Sequence, residues 1–293
     1  MLVEIALPAI LTIIMFSLGL GLTPADFARV FREPRGFWMG AFNQMLVVPL
    51  VAFAAAIFFG LPPELAVGIM ILGLCPGGVL SNVASKFARG NVPLSVSLTS
   101  VISLVSIFTL PPLVALSVRY FMGADAPPVN VAALGIQMFL LTAVPVGLGM
   151  ALTWALPHRV AGISLWMGRM ALILFVVVLA AALAANWGLF VANIGTLGPA
   201  LIAMNAALLA IGVSTSGLAG LSARDATTVA IESGIQNGTL GIAVGVIVAG
   251  GVAGLPPETL PTAIYSVTAW LLTIPFILWR RRSMTGAPVA QPA

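Results

Sequence analysis

The sequence predicts an all-α polytopic membrane protein whose chain crosses the bilayer nine times. Of the 293 residues, 60% are hydrophobic and only 7% are charged, whereas an ordinary soluble domain carries about 25% charged residues. The apolar runs are as long as membrane-spanning helices require. The strands of a membrane barrel would instead show alternating apolar and polar residues over about ten residues. We therefore expect nearly the whole chain to face lipid or other helices.

The composition also argues against several other classes of protein. The formal net charge is +4, but the basic residues fall at the ends of the predicted helices, which does not indicate a nucleic-acid partner. Cys75 is the only cysteine and His158 the only histidine, which excludes an intramolecular disulfide and a histidine-based metal cluster. The N-terminal run contains Glu4 and lacks a basic leading segment, so we interpret it as a membrane span and not as a signal peptide.

Each predicted span is an apolar run, and polar, glycine or proline residues mark where several of the spans end or are interrupted. An amphipathic link, Thr23–Arg35, follows the first span and begins like a short helix. The third span is interrupted at Cys75–Gly78 and the eighth at Gly234–Gly238. The ninth span ends at the basic run Arg280–Arg282, and residues 284–293 are expected to form a disordered tail. The predicted spans cover residues 3–22, 37–60, 64–88, 91–118, 129–155, 163–187, 196–220, 225–250 and 259–279.

The basic residues fall in alternate predicted loops. Arg119 is the one basic residue of the twelve that lies on the other side. Because basic loops stay in the cytoplasm, we expect the N-terminus outside and the C-terminus inside, in a multi-pass protein of the inner (plasma) membrane. The eleven residues on the cytoplasmic side are Arg29, Arg32, Arg35, Lys86, Arg89, Arg159, Arg169, Arg224, Arg280, Arg281 and Arg282.

Glu232 is the most informative polar residue, because it lies in the otherwise apolar eighth span. A carboxylate at bilayer depth costs about 3 kcal/mol on insertion scales. Gly234 and Gly238 follow it and loosen the helix, and Gln236 and Asn237 offer amide oxygens. The combination predicts a helix that opens and turns its oxygens onto a cation. A buried Glu bonded to a neighbouring helix is the alternative.

The two interrupted spans are five spans apart and therefore run in opposite directions. Paired interruptions of this kind predict an inverted-repeat transporter with a site at the bilayer midplane, here with the first helix of the first half missing. Simple kinks are the alternative, but the polar pairs Ser81–Asn82 and Gln236–Asn237 follow the two breaks. Free N–H groups at a break suit an anion, and free carbonyls suit a hard cation such as sodium.

Three motifs resemble the bile acid:sodium symporter family. They are CPGGVLSN at 75–82, ARGNVPLS at 88–95 and ESGIQNG at 232–238, and the segment IMFSLGL at 14–20 is also similar. The likeness covers nearly the whole chain, which looks like a bacterial member in the nine-span version of the family. It implies a single transmembrane unit over 1–283, organised as two packed domains. These are a core of residues 37–118 and 196–279 and a panel of residues 3–22 and 129–187.

The resemblance also implies three binding sites and the residues that form them. Two of the sites bind sodium, and the third binds an organic anion between core and panel. The sequence departs from the family at Val79–Leu80 and at Ala269–Trp270, both expected at the substrate cavity. The implied ligands of the first sodium site are Ser81, Asn82, Ser95, Thr99 and Glu232. Those of the second are Gln44, Glu232 and Gln236 with the carbonyls of Ser233 and Ile235, and those of the anion are Val79, Leu80, Asn237 and Gly238.

Together these expectations describe a sodium-coupled symporter that imports a bile-acid-like or small carboxylate anion by alternating access. A proton-coupled carrier, with Glu232 as the proton acceptor, and a membrane sensor of the same fold are the alternatives. An intramembrane enzyme is disfavoured because the sequence supplies no nucleophile–base pair and no acidic metal cluster. We expect a monomer with no cofactor beyond two coupling sodium ions.

Overall fold

A computed structural model describes residues 2–32, 34–126, 128–250 and 256–284 of the chain. Within these ranges the regular elements are all helices. The expected disordered tail lies outside the described residues, apart from Met284 at the end of the last helix. In chain order the helices are α1 (Leu2–Leu20), α2 (Pro24–Arg32), α3 (Pro34–Phe58), α4 (Pro63–Leu74), α5 (Val79–Phe87), α6 (Val92–Met122), α7 (Val131–Ala155), α8 (Pro157–Ala185), α9 (Trp187–Leu218), α10 (Ala223–Gly234), α11 (Gly238–Val248) and α12 (Leu260–Ser283).

The helices confirm an all-α membrane protein. In the described part of the chain, seven helical segments are long and apolar enough to cross a membrane, α10 and α11 counting together as one. Two bent pairs, α1 with α2 and α4 with α5, raise the number to nine if each pair is one span. The bends are 78° and 62°. The exact span count and the inverted repeat stay predictions.

Two helices begin well before the predicted spans do. The sixth span was expected from residue 163 and the seventh from 196, but α8 begins at Pro157 and α9 at Trp187. Proline suits the first turn of a helix, where its missing N–H costs no bond. Asn186 alone separates α8 from α9, so the expected loop between them is absent from this described segment.

A wide π-helical turn precedes a proline in both α3 and α7. The turns are Asn43–Val47, before Pro49, and Phe139–Ala143, before Pro145. A proline inside a helix lacks an N–H and its ring clashes with the preceding turn, so the backbone there widens. The turn in α3 carries Gln44, one of the expected sodium ligands.

Helix α1 packs closely against α7 and α8. A Cβ on Gly19 of α1 would overlap the backbone of Val146 in α7, and one on Gly149 of α7 would lie 2.5 Å from the carbonyl oxygen of Phe16. Glycines let two membrane helices approach in this way. The three helices are the segments expected to form the panel, although the division into two domains stays a prediction.

The broken helices lie inside the protein. In the most apolar stretch of the α10–α11 segment, 89% of the residues are buried inside the protein. In the corresponding stretches of the other six long apolar helices described, the buried share is 44% or less. Helix α4 is also buried along most of its length. Polar groups at these breaks are therefore screened from lipid by neighbouring helices.

Candidate functional site

The two helix breaks meet at one point in the protein. The N–H of Asn237, just before α11, donates a hydrogen bond of 2.8 Å to the carbonyl oxygen of Pro76, just after α4. A Cβ on Gly78 would lie 3.6 Å from the Cα of Asn237, an ordinary contact distance. The first N–H groups of α5 and α11 and the last carbonyls of α4 and α10 therefore converge on the crossing, where helix geometry leaves them without intrahelical partners.

Four of the five residues expected at the first sodium site share one hydrogen-bonded cluster. Ser95 and Thr99, one turn apart on α6, donate to the two carboxylate oxygens of Glu232 on α10, Thr99 at 2.9 Å. Asn82 Oδ1, on α5, lies 2.8 Å from Ser95 Oγ and 3.3 Å from Thr99 Oγ1. Ser95, Thr99 and Glu232 are buried, and Asn82 is half-buried. Three helices thus bring their oxygens to one point.

This cluster has more acceptors than protons to satisfy them. Asn82 Oδ1 accepts hydrogen bonds, and so do both oxygens of Glu232 when the carboxylate is ionised, whereas the hydroxyls of Ser95 and Thr99 each supply one proton. With Glu232 ionised and the Ser81 hydroxyl bonded to the Gly78 carbonyl, two protons cannot satisfy three acceptors at the same time. Buried acceptors without donors are costly, so a small cation would complete this arrangement.

Ser81, the fifth expected ligand, lies beside the same carboxylate. A Cβ on Gly77 would overlap Oε2 of Glu232 and lie 3.1 Å from Oγ of Ser81. The hydroxyl of Ser81 donates to the carbonyl of Gly78 at 2.7 Å, which leaves its lone pairs available. Ser81 and Glu232 therefore both lie against Gly77, where a larger residue would collide with the carboxylate.

The residues expected at the second sodium site form a separate group. Gln44 Nε2 donates to the carbonyl of Cys75 at 2.9 Å and to Oε1 of Gln236 at 2.7 Å. Gln236 Nε2 donates to the carbonyl of Ser233 at 2.7 Å. Oε1 of Gln44 is buried and has no hydrogen-bond partner. A buried amide oxygen without a donor fits a cation ligand.

Glu232 is the one residue expected at both sites. Among the described residues its carboxylate bonds the α6 hydroxyls and lies beside that of Ser81, and no hydrogen bond joins it to Gln44 or Gln236. The backbone of Ile235, whose carbonyl was also expected at the second site, is extended. The shared role of Glu232 stays a prediction.

A cavity of about 170 Å³ adjoins the crossing. It lies between α1, α8 and the starts of α5 and α11, and all four residues expected to bind the anion line it. Most of the other lining side chains are apolar, such as Met15, Val83 and Phe175, and no Lys, Arg or His of the described residues is among them. Ala269 and Trp270 do not line it. The expectation that they touch the cavity is wrong for Ala269, which faces the apolar cluster around Ile264. Trp270 packs against the same apolar cluster as Leu80, behind the cavity lining.

Comparison with known proteins assigns the chain to a family. The pattern of the Sodium Bile acid symporter family matches residues 8–193, more than half of the chain. The chain belongs to the sodium bile acid symporter family. Members of this family are transporters and not enzymes, so the protein is a multi-pass membrane transporter.

Several characterised or named relatives are similar over most of the chain. An uncharacterized sodium-dependent transporter, YocS of Bacillus subtilis, is 30% identical over 257 residues, 88% of this chain and 77% of its own length. The probable chloroplastic sodium/metabolite cotransporter BASS1 of Arabidopsis thaliana is 30% identical over 274 residues, which are 92% of this chain and 66% of the relative. The human ileal sodium/bile acid cotransporter is 28% identical over 237 residues, which are 79% of this chain and 66% of the relative. The chain thus spans about two thirds of the length of the last two.

Some polar residues near the site of this symporter-family protein were not predicted to contribute to it. Asn43, next to Gln44, bonds Thr215 of α9 at 2.8 Å. Asn205 of α9 and Tyr265 of α12 both donate to the carbonyl of Gly234, where α10 ends. Asn205 thus joins α9 to α10, and Tyr265 carried no signal in the sequence because aromatic residues are common in membrane helices.

Proposed function

We propose that the protein is a sodium-coupled symporter that imports an organic anion by alternating access. Membership of the sodium bile acid symporter family supports sodium-dependent transport. The single observation that supports the coupling ion best is the cluster in which Asn82 Oδ1 and the oxygens of an ionised Glu232 outnumber the hydroxyl protons of Ser95 and Thr99. A sodium ion at this cluster would supply the positive charge that these oxygens lack.

The first ion would be held by side chains from three helices. Its ligands are Ser81 and Asn82 on α5, Ser95 and Thr99 on α6, and Glu232 on α10. All are hard oxygen donors, which sodium prefers over nitrogen or sulfur. Since these helices belong to both broken segments and to α6, an ion between them would draw α5 and α10 together beside the crossing.

The second ion would be held on the other side of the crossing. The unpaired Oε1 of Gln44 is the best supported ligand, with the amide of Gln236 beside it. The carbonyls of Ser233 and Ile235 would complete the shell. The second ion would tie α3 to the end of α10, because Gln44 and these carbonyls lie on different helices.

The anion would bind in the cavity at the crossing. The N-termini of α5 and α11 open there, at Val79, Leu80 and Gly238, with Asn237 alongside. Free N–H groups at helix N-termini bind anions without a cationic side chain. The apolar walls suit a hydrophobic body, so the proposed substrate is an amphipathic organic anion, either bile-acid-like or a small carboxylate.

Coupling follows from the position of the ions beside the anion. Sodium bound first would hold the two breaks in place and so order the N–H groups that contact the anion. The resulting coupling free energy is reciprocal, so the anion would also raise the affinity for sodium. Rocking of the core against α1, α7 and α8 would then expose the loaded cavity to the other side of an inner (plasma) membrane, with the N-terminus outside.

Uptake into proteoliposomes tests the proposal. We would first screen small carboxylates and bile salts by thermal shift with and without sodium, and then measure uptake of a stabilising compound. Replacing sodium by choline at constant pH should abolish uptake. Uptake that persists in choline and follows a pH gradient would instead indicate proton coupling. Binding without counterflow would indicate a sensor.

A further inference from the structure

The carbonyl of Gly234, the last residue of α10, accepts two hydrogen bonds from side chains of other helices. Asn205 Nδ2 of α9 and the hydroxyl of Tyr265 of α12 each lie 2.8 Å from it. Asn205 Nδ2 also lies 3.1 Å from the Tyr265 hydroxyl, which closes a triangle of bonds. Both side chains are almost fully buried. The end of α10 is therefore fixed from two directions.

The hydrogen bonds from Asn205 and Tyr265 satisfy the carbonyl of Gly234, which would otherwise have no partner at the break. The last carbonyls of a helix have no intrahelical partner, and those of α10 lie beside the proposed second sodium site. Two donors use both lone pairs of the Gly234 carbonyl. This oxygen is consequently unavailable to a cation and is turned toward α9 and α12.

Fixing one carbonyl determines where its neighbours point. Ile235 is extended (φ −121°, ψ 114°), and successive groups of an extended backbone face opposite sides. With the Gly234 carbonyl held toward Tyr265, that of Ile235 points away from it. On the preceding residue, the Ser233 carbonyl already accepts from Gln236, whose amide meets Gln44.

We propose that Asn205 and Tyr265 are positioning residues for the second sodium site. They contact neither the ion nor the substrate, but hold the break so that the carbonyls of Ser233 and Ile235 face Gln44 and Gln236. Oδ1 of Asn205 is buried without a partner, so the amide acts here through its N–H donors. The inference rests on the proposed sodium coupling.

The test measures sodium affinity apart from transport. Tyr265→Phe removes one hydroxyl, and Asn205→Ala removes the other donor. Tyr120→Phe is the matched control for the first, because Tyr120 is exposed. Asn193→Ala is the control for the second, because Asn193 lies on the same helix and bonds only Leu189 within it among the contacts described. Each purified variant is titrated with sodium chloride against choline chloride, and its melting temperature is followed.

We expect the half-saturating sodium concentration to rise about fivefold in Tyr265→Phe and in Asn205→Ala, as the loss of one ordinary hydrogen bond predicts. Both controls should match the wild type, and at saturating sodium the uptake rate of Tyr265→Phe should recover. A lower melting temperature without any change in half-saturating sodium would overturn the positioning role and leave a purely structural one. If the wild type itself shows no stabilisation by sodium, both the proposed coupling and this inference fail.

Discussion

Gly77 lies against Glu232 so closely that a Cβ on the glycine would overlap Oε2 of the carboxylate. The same Cβ would lie 3.1 Å from Oγ of Ser81. The lack of a side chain at position 77 thus lets the carboxylate lie directly against the break after α4. A methyl group there would collide with the carboxylate, so glycine is what allows the buried acid to reach the oxygens of Ser95 and Thr99.

Gly77→Ala should push the Glu232 carboxylate out of its position. We expect sodium-dependent uptake to fall at least tenfold, since the displaced carboxylate could no longer share an ion with Ser95 and Thr99. Uptake at increasing sodium concentrations, with surface-expressed protein quantified, provides the measurement. Gly147→Ala on α7 is the control, because a Cβ there meets nothing within 4 Å. Normal uptake by Gly77→Ala would contradict the assignment of the first site.

Glu232→Ala should abolish sodium-dependent uptake while the protein still inserts. Glu232→Gln keeps the shape and removes only the charge, so it should fail for the same reason: the neutral amide no longer balances a cation. Binding of sodium, followed by thermal shift, should fall at least tenfold in both variants, which corresponds to about 1.4 kcal/mol. Glu64→Gln, an exposed acid at the start of α4, should behave like the wild type.

Gln44→Ala and Gln236→Ala should each raise the sodium concentration needed for half-maximal uptake. Each removes an amide from the pair that bonds at 2.7 Å beside the Ser233 carbonyl. We expect a shift of about threefold to tenfold, the size of a lost hydrogen bond or ligand. Gln137→Ala, on an exposed position of α7, controls for the loss of a glutamine. An unchanged sodium concentration for half-maximal uptake in both variants would contradict the assignment of the second site.

Phe175→Ala should change which anions bind. The Phe175 ring of α8 lines the cavity, and its edge lies 3.1 Å from where a Cβ on Gly238 would be. Removing the ring enlarges the cavity next to the α11 N-terminus, so bulkier carboxylates should gain affinity relative to small ones. A thermal-shift series of carboxylates in saturating sodium measures the ratio. Phe108→Ala, whose ring is 76% exposed, should leave the ratio unchanged.

The helix breaks could be predicted because their cause is local. Cys75–Gly78 and Gly234–Gly238 combine proline or glycine with polar residues, and the structure breaks its helices at both. The meeting of Ser95 with Glu232 was expected from family resemblance only, since residues 137 positions apart give no local signal. The convergence of all five side chains at one place was beyond what composition and spacing could indicate.

Other features depend on partners that a single sequence does not identify. The π-helical turn that presents Gln44 directly precedes Pro49, but a proline at such a position also permits a simple kink. The role of Tyr265 depends on the carbonyl of Gly234, 31 residues away. Ala269 was expected in the cavity and is buried elsewhere, because the rotation of α12 about its axis is set by packing.

The bond between Asn237 and Pro76 uses only main-chain atoms, N–H to carbonyl. Almost any side chain could replace the asparagine without breaking this link, with proline as the exception. The crossing can therefore outlast extensive divergence of the surrounding sequence, while the oxygens and apolar walls around it change. Substitutions around the crossing could therefore change which substrates are bound while the backbone arrangement of the crossing stays the same.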